Sequence, residues 1–249
     1  PEFILSWLER LIHQEEVNAF FEKHADSDQY TFCKSAIEKF NLRFTLNGLS
    51  QIPAYPQKVI FAANHPLGGM DAISMILLLK DVRPDLKFIV NDLLLAVTNL
   101  KDRFIGVNKV GKNAVASLQK VEEQFSSGTA TFIFPAGLVS RKTKGKIRDL
   151  EWKKTFIAKA KKYDIPIIPV HIGGRLTNRF YRLANLRKLI GIKINIEMLF
   201  LVDELFKQEN MQIDIQIGKA IPSAYFDTSK NNLEWAQFVK ETVYDLVAK

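Results

Sequence analysis

Five short apolar runs, at 59–63, 87–90, 104–107, 130–134 and 166–170, alternate with helix-patterned stretches, and this alternation constrains the fold of the 249-residue chain more than any other feature. The first run, Val59-Ile60-Phe61-Ala62-Ala63, is apolar at every position, as a strand covered on both faces must be. Helical periodicity covers 72–80, 113–125 and 150–163, with Asp149, Glu151 and Trp152 opening the last of these and the acidic pair complementing its dipole. Strand and helix repeated in this way predict an α/β fold, a mostly parallel sheet flanked by helices. Further along, 193–202 and 211–217 have the pattern of two more strands, and 232–247 that of a closing helix.

The amino-terminal part is organised differently. Ile4, Trp7, Leu8, Leu11, Ile12, Val17, Phe20 and Phe21 fall at helical spacings and predict one amphipathic helix over 4–24, followed by a second over 30–40 and a strand over 42–46 that ends at the Asn47-Gly48 turn. The expected division is therefore an N-terminal two-helix element at 1–42 and an α/β domain at 43–249. The helix pair is expected to pack on the main domain, with a membrane interface as the alternative that the acidic Glu9, Glu15 and Glu16 weaken. The opening Pro1-Glu2-Phe3, without methionine, resembles a vector or cleavage scar and is left out of the expected fold.

Composition narrows the chemistry. Cys33 is the lone cysteine, so an intrachain disulfide and a cysteine-based zinc site are excluded, and His13, His24, His65 and His171 lack metal-ligand spacing. No metal and no bound cofactor are expected. A formal net charge of +8 calls for an anionic partner, among them a membrane surface, acyl carrier protein or coenzyme A phosphates. Nucleic acid is not expected, since no recognised module for it is present. No apolar run approaches the roughly 20 residues needed to span a bilayer, and any membrane contact is expected to be peripheral, on the inner face of the cytoplasmic membrane.

Between the first strand and its helix lies Asn64-His65-Pro66-Leu67-Gly68-Gly69-Met70-Asp71. Ligands of open α/β sheets bind at such strand ends. Pro66 biases His65 toward an extended backbone, and Gly68 and Gly69 permit a tight turn that can return His65 over Asp71. A carboxylate on one imidazole nitrogen fixes the tautomer and leaves the other as a base toward a hydroxyl. The alternative is an ordinary turn with Asp71 as helix cap and His65 on the surface. Backbone amides near Gly68 and Gly69 are the candidates to hold an oxyanion.

Three other strand ends carry polar groups. Pro135, Ala136 and Gly137 leave the fourth run, and Arg141, Lys142, Lys144, Lys146 and Arg148 follow as a flexible cationic loop suited to phosphate or to an acidic protein. Asn108 and Lys109 end the third run, where either could hold an acceptor head group. Arg175, Arg179, Arg182, Arg187 and Lys188 interleave with apolar residues, either against anionic lipid or as the charged face of a packed helix. His171 is expected to be a hydrogen-bonded structural histidine.

Taken together, residues 64–71, 104–109, 134–141 and 165–170 resemble, in order, the four motif blocks of the glycerophospholipid acyltransferase superfamily, that of 1-acylglycerol-3-phosphate acyltransferases and related lysolipid acyltransferases. The Asn-His-Pro opening and the Phe134-Pro135-Ala136-Gly137 block are most similar to its hemolysin-like and aminolipid O-acyltransferase branch. The resemblance implies that His65 and Asp71 are the catalytic pair and that an acyl-CoA or acyl-carrier-protein thioester is co-substrate to a lysolipid acceptor. It also implies substrate-binding roles for Asn108, Lys109, Pro135, Ala136, Gly137 and Arg141. Three departures stand out: five residues rather than four separate His65 from Asp71, the second block lacks its arginine, and the third lacks its glutamate. The last two point from a phosphate-bearing acceptor toward a lyso-aminolipid. The alternatives are a catalytically silent lipid-binding module of the same fold and a serine hydrolase, for which no Gly-x-Ser-x-Gly elbow is present.

Overall fold

In the computed structural model, residues 2–107 and 114–247 are described. The apolar runs form β2 (Val59–Ala63), β3 (Lys87–Asn91), β4 (Phe104–Val107), β5 (Ala130–Ile133) and β8 (Ile167–Ile172), and β1 (Arg43–Asn47) and β9 (Gln212–Ile217) complete a seven-stranded sheet in the order β1-β9-β8-β2-β5-β3-β4. All neighbours are parallel except β8 and β9. Every residue of β2 is buried, as its unbroken apolar sequence requires of a central strand.

One level of the sheet is aromatic. Phe61 is in register with Phe132, Phe132 with Phe88, and Phe88 with Phe104, so four phenylalanines line up across β2, β5, β3 and β4. Their rings touch in sequence, with centroids 5.7, 4.8 and 6.3 Å apart. Each such ring, removed from water, stabilises the fold by roughly 1.5–3 kcal/mol. On this face lie α3 (Gln29–Lys39) and α4 (Gly69–Leu78), through Phe32, Ile37, Met70 and Met75. The opposite face is covered by α5 (Ala114–Ser126), α6 (Thr155–Tyr163) and α9 (Asn232–Asp245), through Phe125, Phe156, Trp235 and Val239 against Ile60, Ala62 and Ile167. A smaller cluster of Val139, Leu176, Phe180 and Tyr181 sits beneath α7 (Asn178–Leu189).

Four expectations are corrected. The amino-terminal helix is two, α1 (Glu2–Leu11) and α2 (Gln14–Lys23), because His13 adopts a left-handed conformation with φ 49°. There its ring stacks on Phe206 of α8 (Leu201–Phe206) at 3.9 Å, a contact that helical periodicity cannot announce. The stretch 193–202 is no strand: Ile196–Phe200 is a 3-10 turn leading into α8, since Glu197 is drawn inward by Arg141 and Arg187. The cationic segment after β5 is no flexible loop but a hairpin of β6 (Arg141–Thr143) and β7 (Lys146–Arg148). Its central Lys144 and Gly145 both have positive φ, as a type I′ turn requires. Finally, α6 starts at Thr155, leaving Asp149, Glu151 and Trp152 in the preceding connection.

Candidate active site

Three strand tips meet at the carboxyl edge of the sheet, β2 between β5 and β8. Asn64 extends the β2–β8 pairing by side chain alone: its Nδ2–H donates to the Ile172 carbonyl at 2.8 Å and its Oδ1 accepts the Ile172 N–H at 2.7 Å. The chain then leaves the sheet at His65, whose carbonyl accepts the Ser140 N–H at 2.8 Å. Gly68, at φ 75° and ψ −133°, turns the backbone through a region that L side chains rarely enter and becomes the N-cap of α4. Asp71 is thereby inside the first turn of the helix and not its cap.

From that position the carboxylate reaches back. Asp71 Oδ2 accepts the Leu67 N–H at 2.9 Å and lies 2.8 Å from His65 Nδ1. The turn and the first helical residues absorb all five residues between them, one more than the family spacing. With Nδ1 bonded to the carboxylate, Nε2 is the basic nitrogen. Asp71 is 0% exposed, and its burial raises the carboxyl above the ordinary carboxylate range against the opposing hydrogen bonds from His65 and Leu67. Its Oδ1 has no hydrogen-bond partner among the described residues. The His65 ring stacks on Phe134 at 4.1 Å, and Phe134 leans on Phe132 at 5.3 Å, so the imidazole continues the aromatic row of the sheet.

Gly68 and Gly69 lie at the start of α4, whose first amides have no partner within the helix, and a Cβ on Gly69 would meet nothing within 4 Å. Pro135, Ala136 and Gly137 turn past the tip of β5, where the Pro135 carbonyl accepts the Lys153 N–H at 3.1 Å. The Lys153 ammonium approaches Gly137 so closely that a Cβ there would lie 2.5 Å from Nζ. Arg141 is not brought to this cluster as a free cation. Its guanidinium is buried, paired with Glu197 at 2.8 Å, bonded to the Val139 carbonyl at 2.6 Å and set over the Phe180 ring. Asn108 and Lys109 lie outside the described residues, and β4, which precedes them, is one of the two edge strands.

His171 is expected to be a hydrogen-bonded structural histidine, and on its Nδ1 it is not. Its Nδ1 has no partner among the described residues, its ring packs edge-on to Tyr244, and burial pushes its pKa down to about 4. The arginines of α7 divide between the two open readings. Arg187 pairs with Glu197, while Arg182 and Lys188 are exposed. Sequence reasoning gave no role to Asn64, Ser140 or Glu197 and placed Asp149 on a helix. Asp149 is buried, with its carboxylate facing His65. No local pattern marks these residues, because each has a partner far along the chain: Ile172 for Asn64, His65 for Ser140 and Asp149, Arg141 for Glu197.

An apolar cavity of about 340 Å³ lies between α2, α3, α4 and α8, within the range of small-ligand pockets. Phe20, Phe32, Ala36 and Leu205 line it, and Leu67 and Gly69 of the His65–Asp71 turn form part of its wall. Among the described residues no group of three or more His, Cys, Asp or Glu side chains is placed to hold a metal, and no helix is long and apolar enough to cross a membrane.

Comparison with known proteins agrees with this architecture. A family model described as Acyltransferase matches residues 1–249. A lyso-glycine lipid O-acyltransferase of Bacteroides thetaiotaomicron is 40% identical over 247 residues, covering 99% of this chain and 90% of the relative. A protein of the same description from Phocaeicola vulgatus is 38% identical, covering 99% of this chain and 88% of its own. Among solved structures, the 1-acyl-sn-glycerophosphate acyltransferase of Thermotoga maritima shares the fold with a TM-score of 0.56 at 21% identity, over 89% of this chain and 79% of that one.

Proposed function

This chain belongs to the acyltransferase family, and from that premise we propose that it moves a fatty acyl group from a thioester donor, acyl-CoA or acyl carrier protein, to the hydroxyl of a lysolipid. A lyso-glycine lipid, the acceptor named for two relatives, is the first candidate. The observation that carries this reading is the 2.8 Å contact of His65 with Asp71 beside an apolar cavity.

The acceptor oxygen attacks the thioester carbonyl as His65 Nε2 takes its proton, and Asp71 stabilises the imidazolium formed. The amides at Gly68 and Gly69 hold the oxyanion. Collapse of the tetrahedral intermediate breaks the carbon–sulfur bond, and the leaving thiolate recovers the proton from His65. The cavity takes an acyl chain. Commitment of Arg141 to Glu197 argues against its use as a phosphate ligand and favours an acceptor without one.

A peripheral membrane site fits the surface. Exposed Phe3, Leu5 and Trp7 of α1 and exposed Leu189, Ile194 and Leu199 are joined through the Trp7–Phe200 ring contact, with Arg182, Lys188 and Lys193 exposed on the same segment. Apolar and basic groups together suit an anionic bilayer.

The test is turnover of palmitoyl-CoA, or the acyl-carrier-protein thioester, with a lyso-glycine lipid. Wild-type protein is expected to form the O-acylated product, and His65→Ala to lower kcat by about 10³-fold or more while remaining folded. Unimpaired His65→Ala would end the mechanism. Turnover of a lysophospholipid in place of the glycine lipid would end the acceptor assignment.

A further inference from the structure

The connection between β7 and α6 carries a carboxylate that takes no part in the chemistry above. Asp149 is 5% exposed and faces three donors. Its Oδ1 accepts the backbone N–H of His65 at 3.2 Å and the Ser140 hydroxyl at 2.6 Å, and its Oδ2 accepts the Trp152 indole N–H at 2.9 Å. We propose that Asp149 is a positioning residue for acyl transfer, holding the His65 peptide so that the imidazole meets both Asp71 and the substrate hydroxyl. The inference rests on His65 being the base.

Two features set this contact apart from ordinary loop packing. His65 is gripped at both ends of its backbone by one segment, the N–H by Asp149 and the carbonyl by the Ser140 N–H, and Pro66 offers no amide to a competing bond. The grip also determines where the imidazole starts, since a side chain is aimed by its backbone and only then by its rotamer. Asp149 is itself held from behind. Its N–H donates to the Tyr244 hydroxyl at 2.7 Å and its carbonyl accepts the Lys240 ammonium at 2.8 Å, which ties the site to α9.

The donor set explains why the group is a carboxylate. Three hydrogens converge on two oxygens, and only an acceptor without hydrogens of its own satisfies all three. An amide of the same shape would turn its NH₂ toward the indole N–H or toward the His65 amide. Turned toward His65, the NH₂ opposes the His65 N–H and frees the peptide; turned toward Trp152, it opposes the indole N–H and pushes the gripping segment away from its seat. Displacements of about 1 Å at a reacting group are worth up to roughly 10²-fold in rate.

The experiment compares Asp149→Asn and Asp149→Ala with wild type by two readouts, after circular dichroism has established that each is folded. The first is the low-field proton resonance of His65 Nδ1, assigned by its absence in His65→Gln, which reports the bond to Asp71 whether or not the substrate is correct. The second is steady-state turnover of palmitoyl-CoA with a lyso-glycine lipid. The resonance is expected to move upfield or to vanish by exchange in both variants. In parallel, kcat is expected to fall about 10- to 100-fold with KM for both substrates within about twofold. An unchanged resonance, or an unchanged kcat where wild type is active, overturns the proposal. If wild type does not turn over this pair, the acceptor assignment fails and the resonance alone decides the role of Asp149. If neither variant folds, Ser140→Ala decides: it takes away the 2.6 Å hydroxyl that orients the Asp149 carboxylate toward the His65 amide, so the resonance is expected to move upfield, and an unmoved resonance overturns the proposal.

Discussion

His171 stands on the strand beside the one that ends at His65, yet its chemistry is opposite. With no partner on Nδ1 and with burial lowering its proton affinity, it is neutral in the fold and ionises only near pH 4, against 6.5 for the ordinary side chain. Between those values the unfolded chain binds the extra proton, so stability is complete above about pH 6.5 and declines as pH falls toward 4, by roughly 2–3 kcal/mol. Urea unfolding at a series of pH values should show this loss, and His171→Gln should flatten it; an undiminished slope would place the titration elsewhere. His65 and Asp71, by contrast, were legible as a pair because both lie within one turn and the glycines between them declare it. Asn64 stood in the same octapeptide and gave no sign of its role, since its partner is the backbone of Ile172. Asp149 was misplaced for the same reason. Its donors come from residues 65, 140 and 152, and the local pattern around it fits a helix well enough to conceal them.

Strands were the most readable elements, because a strand covered on both faces must be apolar throughout, and β2 is. The break between α1 and α2 was unreadable: helical spacing runs straight through it, and the stacking of His13 on Phe206 that accompanies it joins opposite parts of the chain. The alternation at 193–202 imitated a strand, but its exposed member Ile194 and its buried member Glu197 invert the expected sidedness. Arg141, distant in sequence, and Arg187, on the helix before this stretch, account for the inversion. At this scale the apolar cavity makes a prediction. Ala36 of α3 is buried on its wall, and Ala36→Phe should shorten it. Competition between long- and medium-chain acyl-CoA is expected to shift by about tenfold toward the shorter chain, with little change in thermal stability. Unaltered chain preference would show that the acyl group lies elsewhere.

Across the whole molecule, the parallel α/β class was legible, whereas the strand order was not, because nothing in the local pattern says that β9 enters beside β8 and runs against it. The surface offers a further test. Trp7→Ser combined with Leu189→Ser removes two exposed apolar groups from the face assigned to the bilayer, each worth up to roughly 1.5–3 kcal/mol on full burial. Co-sedimentation with anionic vesicles should weaken by tenfold or so, and added salt should weaken the wild type as well. Equal binding of the variant would move the membrane contact to another face.

The side-chain rung between Asn64 and Ile172 has a mechanical consequence. It fastens the departing chain to two buried interior strands, so His65 rides on the packed sheet as on an anvil. Any movement needed to admit two lipid chains would then come from the jaws around it, α2, α3 and α8, which face the cavity with rings and aliphatic groups. Acceptor and chain-length preference can therefore change through the jaws while the chemistry on the anvil stays the same.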